Sequence, residues 1–107
     1  MRASFRLEIV ARAEADLRAI HYHIAQDKPQ AADKWLNHML KAAGSLRTMP
    51  FCCEVIPEVE ELALELRHLI LGNYRMIYRI DEKRVRVLRI MHAARRLTRP
   101  MLTDEAL

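Results

Sequence analysis

Glycine and serine are almost missing from this chain, with only Gly44 and Gly72, Ser4 and Ser45. A loop that cradles phosphates needs several glycines close together, so no motif of that kind is present. Neither serine stands in a nucleophile motif. The two cysteines, Cys52 and Cys53, are adjacent. That excludes a disulfide framework, and no CxxC or Cys/His zinc spacing occurs. A bond between neighbouring cysteines is strained, so reduced loop thiols are the expectation. Long apolar runs are missing too. None approaches the roughly 20 residues of a membrane span, and the N-terminal stretch MRASFRLEIVARAEADL has no apolar core of a signal peptide. A cytoplasmic protein with no membrane contact is therefore expected. Repeats, low-complexity tracts and linkers are likewise absent.

What remains is enough for one core. The chain has 107 residues, 51% of them hydrophobic, which suits a single folded domain spanning 1–107. Its core is expected over about 4–96, with a basic tail at 93–107. The net charge of +4 is unevenly spread. Residues 1–65 hold eight basic and ten acidic side chains; residues 66–101 hold ten basic, nine of them Arg, and two acidic. Arginine recognises flat anions through two parallel hydrogen bonds, and the bias of the second half points to an anionic partner.

Phe5, Leu7 and Ile9 alternate with polar residues and predict a first strand over Ser4–Val10. From about Arg12 the period lengthens. Ala13, Leu17, Ile20 and Ile24 predict a helix to about Gln26, with Glu14 and Asp16 placed to favour its dipole. Asp27-Lys28-Pro29 breaks it, and Pro29 suits the start of a second helix. Ala32, Trp35, Leu36, Met39, Leu40, Ala43 and Leu46 give that helix its stripe to about Arg47. The short connection predicts a helical hairpin. Residues 49–65 are irregular, with a helical turn or loop at Glu58–Glu65. Strands follow at Leu66–Leu71, Tyr74–Ile80 and Arg84–His92, joined by a two-residue hairpin signal at Gly72-Asn73 and a turn at Asp81-Glu82-Lys83. The expectation is an α+β fold, β-α-α-β-β-β, with the helical hairpin on one face of a small antiparallel sheet. On this layout no segment is left for the second face. Arg75 and Arg79, joined by Arg67, would stand there in the open. The last strand leaves the faces undecided, with Val85, Val87 and Met91 on one and Leu88, Ile90 and His92 on the other.

Three separated stretches, ADLRAIHYHIAQDKPQAADKWL, LRHLILGNYRMIYRI and VLRIMHAARR, resemble the RelE/ParE superfamily of type II toxin–antitoxin toxins from about Phe5 to Arg96. The details are similar to the ParE and plasmid-stabilisation branch: Ala15-Asp16-Leu17, Pro29 with Ala31-Ala32, Tyr74-Arg75 with Tyr78-Arg79, and His92 followed by Arg95-Arg96. The resemblance implies a growth-inhibiting toxin neutralised by an antitoxin, with operator DNA contacted only through that antitoxin. A ParE-like member would inhibit DNA gyrase without catalysing a reaction. A RelE-like member would cleave mRNA on the ribosome. A third alternative is an inactive member that only binds its antitoxin.

The RelE-type lysines before Tyr74 are replaced here by Leu66 and His68, which favours the ParE reading. RelE-like candidates for catalysis are Arg67, Arg75, His92 and Arg95, with Glu61 or Glu65 as possible partners in acid–base work. Candidates for target binding are Arg75, Arg79, Arg95, Arg96 and Arg99. Each has a plainer reading. Arg75 and Arg79 would pair with Glu58, Glu60, Glu61 or Glu65 on the overlying loop, and His92 would be a partly buried strand-end residue bonded to backbone. Trp35 and Met39 are core residues or, alternatively, the edge of an antitoxin-docking groove. His21 and His23 point to different sides of a helix, and His38 has no evident partner, so no metal and no cofactor are expected.

Overall fold

Val10 leaves β1 (Arg6–Ile9) in an extended conformation, and α1 (Ala11–Ala25) begins at the next residue. In this computed structural model, which describes residues 4–103, the helix buries Ala13, Asp16 and Leu17 and half-buries Ile20 and Ile24. It stops where the Lys28 N–H donates to the Ile24 carbonyl at 2.8 Å. Pro29 then supplies the first residue of α2 (Pro29–Ser45), where a missing N–H costs nothing. Ala32, Met39 and Ala43 form its buried stripe. The remaining elements are a short α3 (Val59–Leu62), β2 (Arg67–Leu71), β3 (Tyr74–Asp81), β4 (Arg84–His92) and a 3₁₀ turn at Arg99–Met101. Gly72 makes the β2–β3 turn with φ +58°, a left-handed conformation that glycine adopts without penalty.

The helical hairpin and the order of elements match the expectation. The sheet order is β1-β4-β3-β2. β2–β3–β4 is an antiparallel meander that starts at the far edge, so after two reversals β4 runs alongside β1 in the parallel sense. The sheet is thus mixed, with one parallel pair.

Pairing places Tyr74, Met76, Tyr78 and Ile80 on the face beneath the helices, where the Trp35 and Tyr74 rings meet edge-on at 5.4 Å. A β-bulge resolves the ambiguous last strand. Ile77 pairs with Arg89 and Tyr78 with Val87, so Leu88 is one extra residue. The bulge reverses the alternation at that point. Val85, Val87, Ile90 and His92 therefore share the helix-covered side, and Arg89 and Met91 the other.

The expectation of a bare second face is corrected. Glu58, α3 and the segment after β4 cover much of it. Ile56, Leu62 and Leu97 are buried there in the same core as Met76, Ile77 and Tyr78. Arg75 is consequently buried, 3% exposed, and not on an open face. Cys52 and Cys53, expected as thiols, are joined as a vicinal disulfide in the loop before α3. No helix among the described residues is long and apolar enough to cross a membrane.

Candidate functional site

Arg75 projects from the middle of β3 into the layer between the sheet and the α3 loop. Its Nη2 donates to Glu58 Oε2 at 2.5 Å and its Nη1 to Oε1 at 3.2 Å, a two-pronged ion pair. Nη2 also donates to the Arg95 carbonyl at 2.9 Å, and Nη1 to His68 Nδ1 at 3.1 Å. The second contact makes His68 Nδ1 an acceptor and puts the ring proton on Nε2. Glu58 is 2% exposed and also accepts the Leu97 N–H at 2.7 Å. Four segments of chain thus converge on one carboxylate–guanidinium pair: the α3 loop, β2, β3 and, at two places, the C-terminal segment.

Burial pushes the Glu58 carboxyl up. The Arg75 and Leu97 hydrogen bonds and the Arg75 charge outweigh that and hold it at about 2, against an ordinary 4.5. A depressed pKa stabilises the fold fully above the unfolded value and loses that stability as pH falls through the folded one. The pair should therefore contribute about 3 kcal/mol at neutral pH that vanishes between roughly pH 5 and 2. Urea unfolding as a function of pH tests this. A Glu58→Gln variant with the same acid slope as the parent would refute it.

The other expected site residues fall into two groups. Arg67 is engaged in the loop: its Nη1 donates to the Cys53 carbonyl at 2.5 Å, and its guanidinium lies over the Phe51 ring. With Arg79, Phe51, Glu65 and Ile80 it lines a cavity of about 330 Å³. His92, Arg95, Arg96 and Arg99 are exposed at the end of β4 and beyond. His92 accepts the Ala94 N–H on Nδ1 at 3.1 Å, a backbone bond as expected, though the ring is exposed rather than partly buried. Arg96 pairs with Glu61 on α3. Arg99 donates to the Leu62 carbonyl at 2.8 Å. The structure does not gather Arg67, Arg75, His92 and Arg95 into one open cluster, because Arg75 lies inside the protein and Arg67 is turned toward the loop.

Met39 is fully buried, while Trp35 is half-buried. Trp35 lines a cavity of about 450 Å³ with Lys34, His38, Leu71 and Tyr74.

A second buried pair escaped the sequence reading. Asp16 accepts from Arg89 Nε at 2.7 Å, from Arg89 Nη2 at 3.0 Å and from the Ile90 N–H at 3.0 Å. Arg89 Nη1 also donates to the Met101 carbonyl at 2.8 Å. The available signal was an acid beside Ala13 and Leu17 on an apolar helix face. Expected only to complement the helix dipole, Asp16 instead binds the edge of β4 just past the point where β1 ends. Among the described residues, no group of three or more His, Cys, Asp or Glu is arranged to hold a metal ion.

Residues 7–97 match the family profile described as ParE toxin of the type II toxin–antitoxin system parDE. Among solved structures, the chain is similar to one from the chromosomal ParDE system of P. aeruginosa, with 22% identity and a TM-score of 0.68 over 84% of this chain and 97% of that one. It is also similar to one from the toxin–antitoxin complex RelBE2 of Mycobacterium tuberculosis, with 22% identity and a TM-score of 0.58 over 83% and 98%. No curated protein sequence matches the chain significantly.

Proposed function

The chain belongs to the ParE toxin family of type II toxin–antitoxin systems, and from that premise we propose that it binds and inhibits DNA gyrase and is neutralised by a cognate antitoxin. The observation that carries the reading is the burial of Arg75. This arginine is the best match to a RelE-type catalytic residue. Both its terminal nitrogens are already spent on Glu58, His68 and the Arg95 carbonyl, and the one donor without a partner, Nε, is buried. A phosphate in the transition state of RNA cleavage would have to displace Glu58 from a buried pair. The exposed members of the expected target-binding set lie instead on the segment after β4, where Arg95, Arg96 and Arg99 form a binding surface. Arg79 on β3 extends the set of target contacts. The half-exposed edge of Trp35 beside Tyr74 suits an apolar anchor of the antitoxin, with Met39 supporting it from the core.

The test pairs gyrase supercoiling with mRNA cleavage on translating ribosomes, using the same purified protein. Inhibited supercoiling with intact mRNA supports the proposal. The expected result for Arg95→Glu/Arg96→Glu is at least about a tenfold loss of gyrase inhibition with little change in thermal stability, because among the described residues the charge pair lost, Arg96–Glu61, is exposed. Codon-positioned cuts with normal supercoiling would overturn it and make the exposed His92 and Arg95 catalytic candidates. Neither effect, with antitoxin binding retained, would mark an inactive member.

A further inference from the structure

Arg12, Arg89 and Arg95 come from three separate segments and line one cavity of about 400 Å³ with the hydroxyl-bearing Thr98 and Thr103. Arg12 stands in the first turn of α1, Arg89 in β4 and Arg95 in the C-terminal segment. Asp16 is the carboxylate bonded into this corner, and both its oxygens are taken by Arg89. Arg12 Nε lies 3.9 Å from the same carboxylate. The Arg95 guanidinium makes no hydrogen bond or ion pair among the described residues; its only engaged groups are backbone. Among the described residues, three guanidiniums stand against one carboxylate there, an excess of two positive charges at one concave spot. The α1 N-terminus adds to it, since Val10 provides no side-chain cap.

We propose that this cavity binds a phosphate group. Guanidinium forks match the oxygens of a phosphate in paired, charge-assisted hydrogen bonds, and the threonine hydroxyls can complete the coordination. Arg89 is locked by Asp16 and the Met101 carbonyl and so forms a fixed floor. Arg12 and Arg95, both exposed, close on the ligand from either side. The volume falls at the small end of the roughly 300–1,000 Å³ typical of ligand pockets, room for a phosphate ester. The phosphate can belong to a nucleic-acid backbone or to a small phosphate ester. The proposal stands whether or not gyrase is the target, and its test contains no gyrase.

The experiment titrates the full-length protein with inorganic phosphate, with AMP and with a short fluorescein-labelled single-stranded DNA. NMR follows the arginine Nε–Hε groups and the Thr98 amide. Phosphate is expected to move the Arg12, Arg95 and Thr98 signals before those of other arginines. Arg95→Gln should weaken phosphate binding about tenfold and Arg12→Gln about threefold, as expected for loss of a charge-assisted hydrogen bond at a half-open site. Arg18→Gln, an equal loss of charge on an exposed face of α1, should stay within about twofold. Both site residues are exposed, so their variants remain folded, which a thermal melt verifies. Arg95-dependent binding of the DNA assigns the site to a nucleic-acid backbone; binding of phosphate and AMP alone assigns it to a small ester. Equal losses for Arg95→Gln and Arg18→Gln, or no shift at these residues, would overturn the proposal.

Discussion

Replacing Arg75 with alanine is expected to lower the unfolding free energy by about 3–5 kcal/mol, because it strands a buried carboxylate. Glu58 would keep only backbone N–H partners, those of Leu97 and of Glu58 itself, while His68 Nδ1 and the Arg95 carbonyl would lose theirs. For a domain of this size that loss corresponds to a drop in melting temperature of roughly 15–25 °C. The damage should not be local. Amide exchange should accelerate across α3 and around Leu97, the two segments that Arg75 and Glu58 hold against the sheet. An apolar replacement of both partners, Arg75→Met with Glu58→Leu, should recover more than half of the loss, since no isolated charge then remains buried. Full recovery is not expected, because the Leu97 N–H and the Arg95 carbonyl still lack partners. The double variant separates structure from chemistry. If Arg75 serves only to hold the loop, growth inhibition returns with stability. A stable double variant that no longer inhibits growth would show that Arg75 has a further role. An unchanged melt of Arg75→Ala would refute the structural account itself.

The second large effect is expected at Asp16. Asp16→Ala removes three hydrogen bonds at once, two from Arg89 and one from the Ile90 N–H. It leaves the Arg89 charge, 5% exposed, with the Met101 carbonyl as its remaining partner. The expected cost is again about 3–5 kcal/mol by denaturant titration. Asp16→Asn keeps one acceptor oxygen and should cost only about half as much. Glu14→Ala, two residues earlier on the same helix, should stay within about 0.5 kcal/mol, because its carboxylate is exposed and lies 3.9 Å from Arg18. The Ile90 amide gives an independent readout. β1 pairs with β4 only as far as Val87, so Asp16 alone protects that amide on the open edge. Its exchange should become fast in Asp16→Ala. Equal costs for Asp16→Ala and Glu14→Ala would show that the buried pair contributes nothing.

These two pairs mark where reading the chain by periodicity stops. Arg75 and Glu58 are separated by 17 positions, and Asp16 and Arg89 by 73. An arginine in a strand carries the same local signal whether it meets solvent or a buried carboxylate. Its Glu58 partner was among four acids of one loop that were equally eligible by sequence. Its place beside Ala13 and Leu17 sets Asp16 on an apolar helix face, but nothing local names the partner 73 residues away. The cavity formed by Arg12, Arg89 and Arg95 is hidden for the same reason, since its residues come from both ends of the chain.

The sequence by itself determined the element order, the break between the helices at Asp27-Lys28-Pro29, the tight turn at Gly72-Asn73 and the family. Those are local signals, set by backbone sterics and by side-chain spacing along one segment. The tertiary structure alone decided which face of the sheet is covered by what. One extra residue at Leu88 flips the alternation of β4, and the segments at 56–62 and 93–99 close over a face that periodicity left bare. Burial is a property of the assembled chain: of the two readings of Arg75, an open-face cation or a partner of the loop acids, it selected the internal clamp on Glu58, and it left the arginines after β4 to face the solvent.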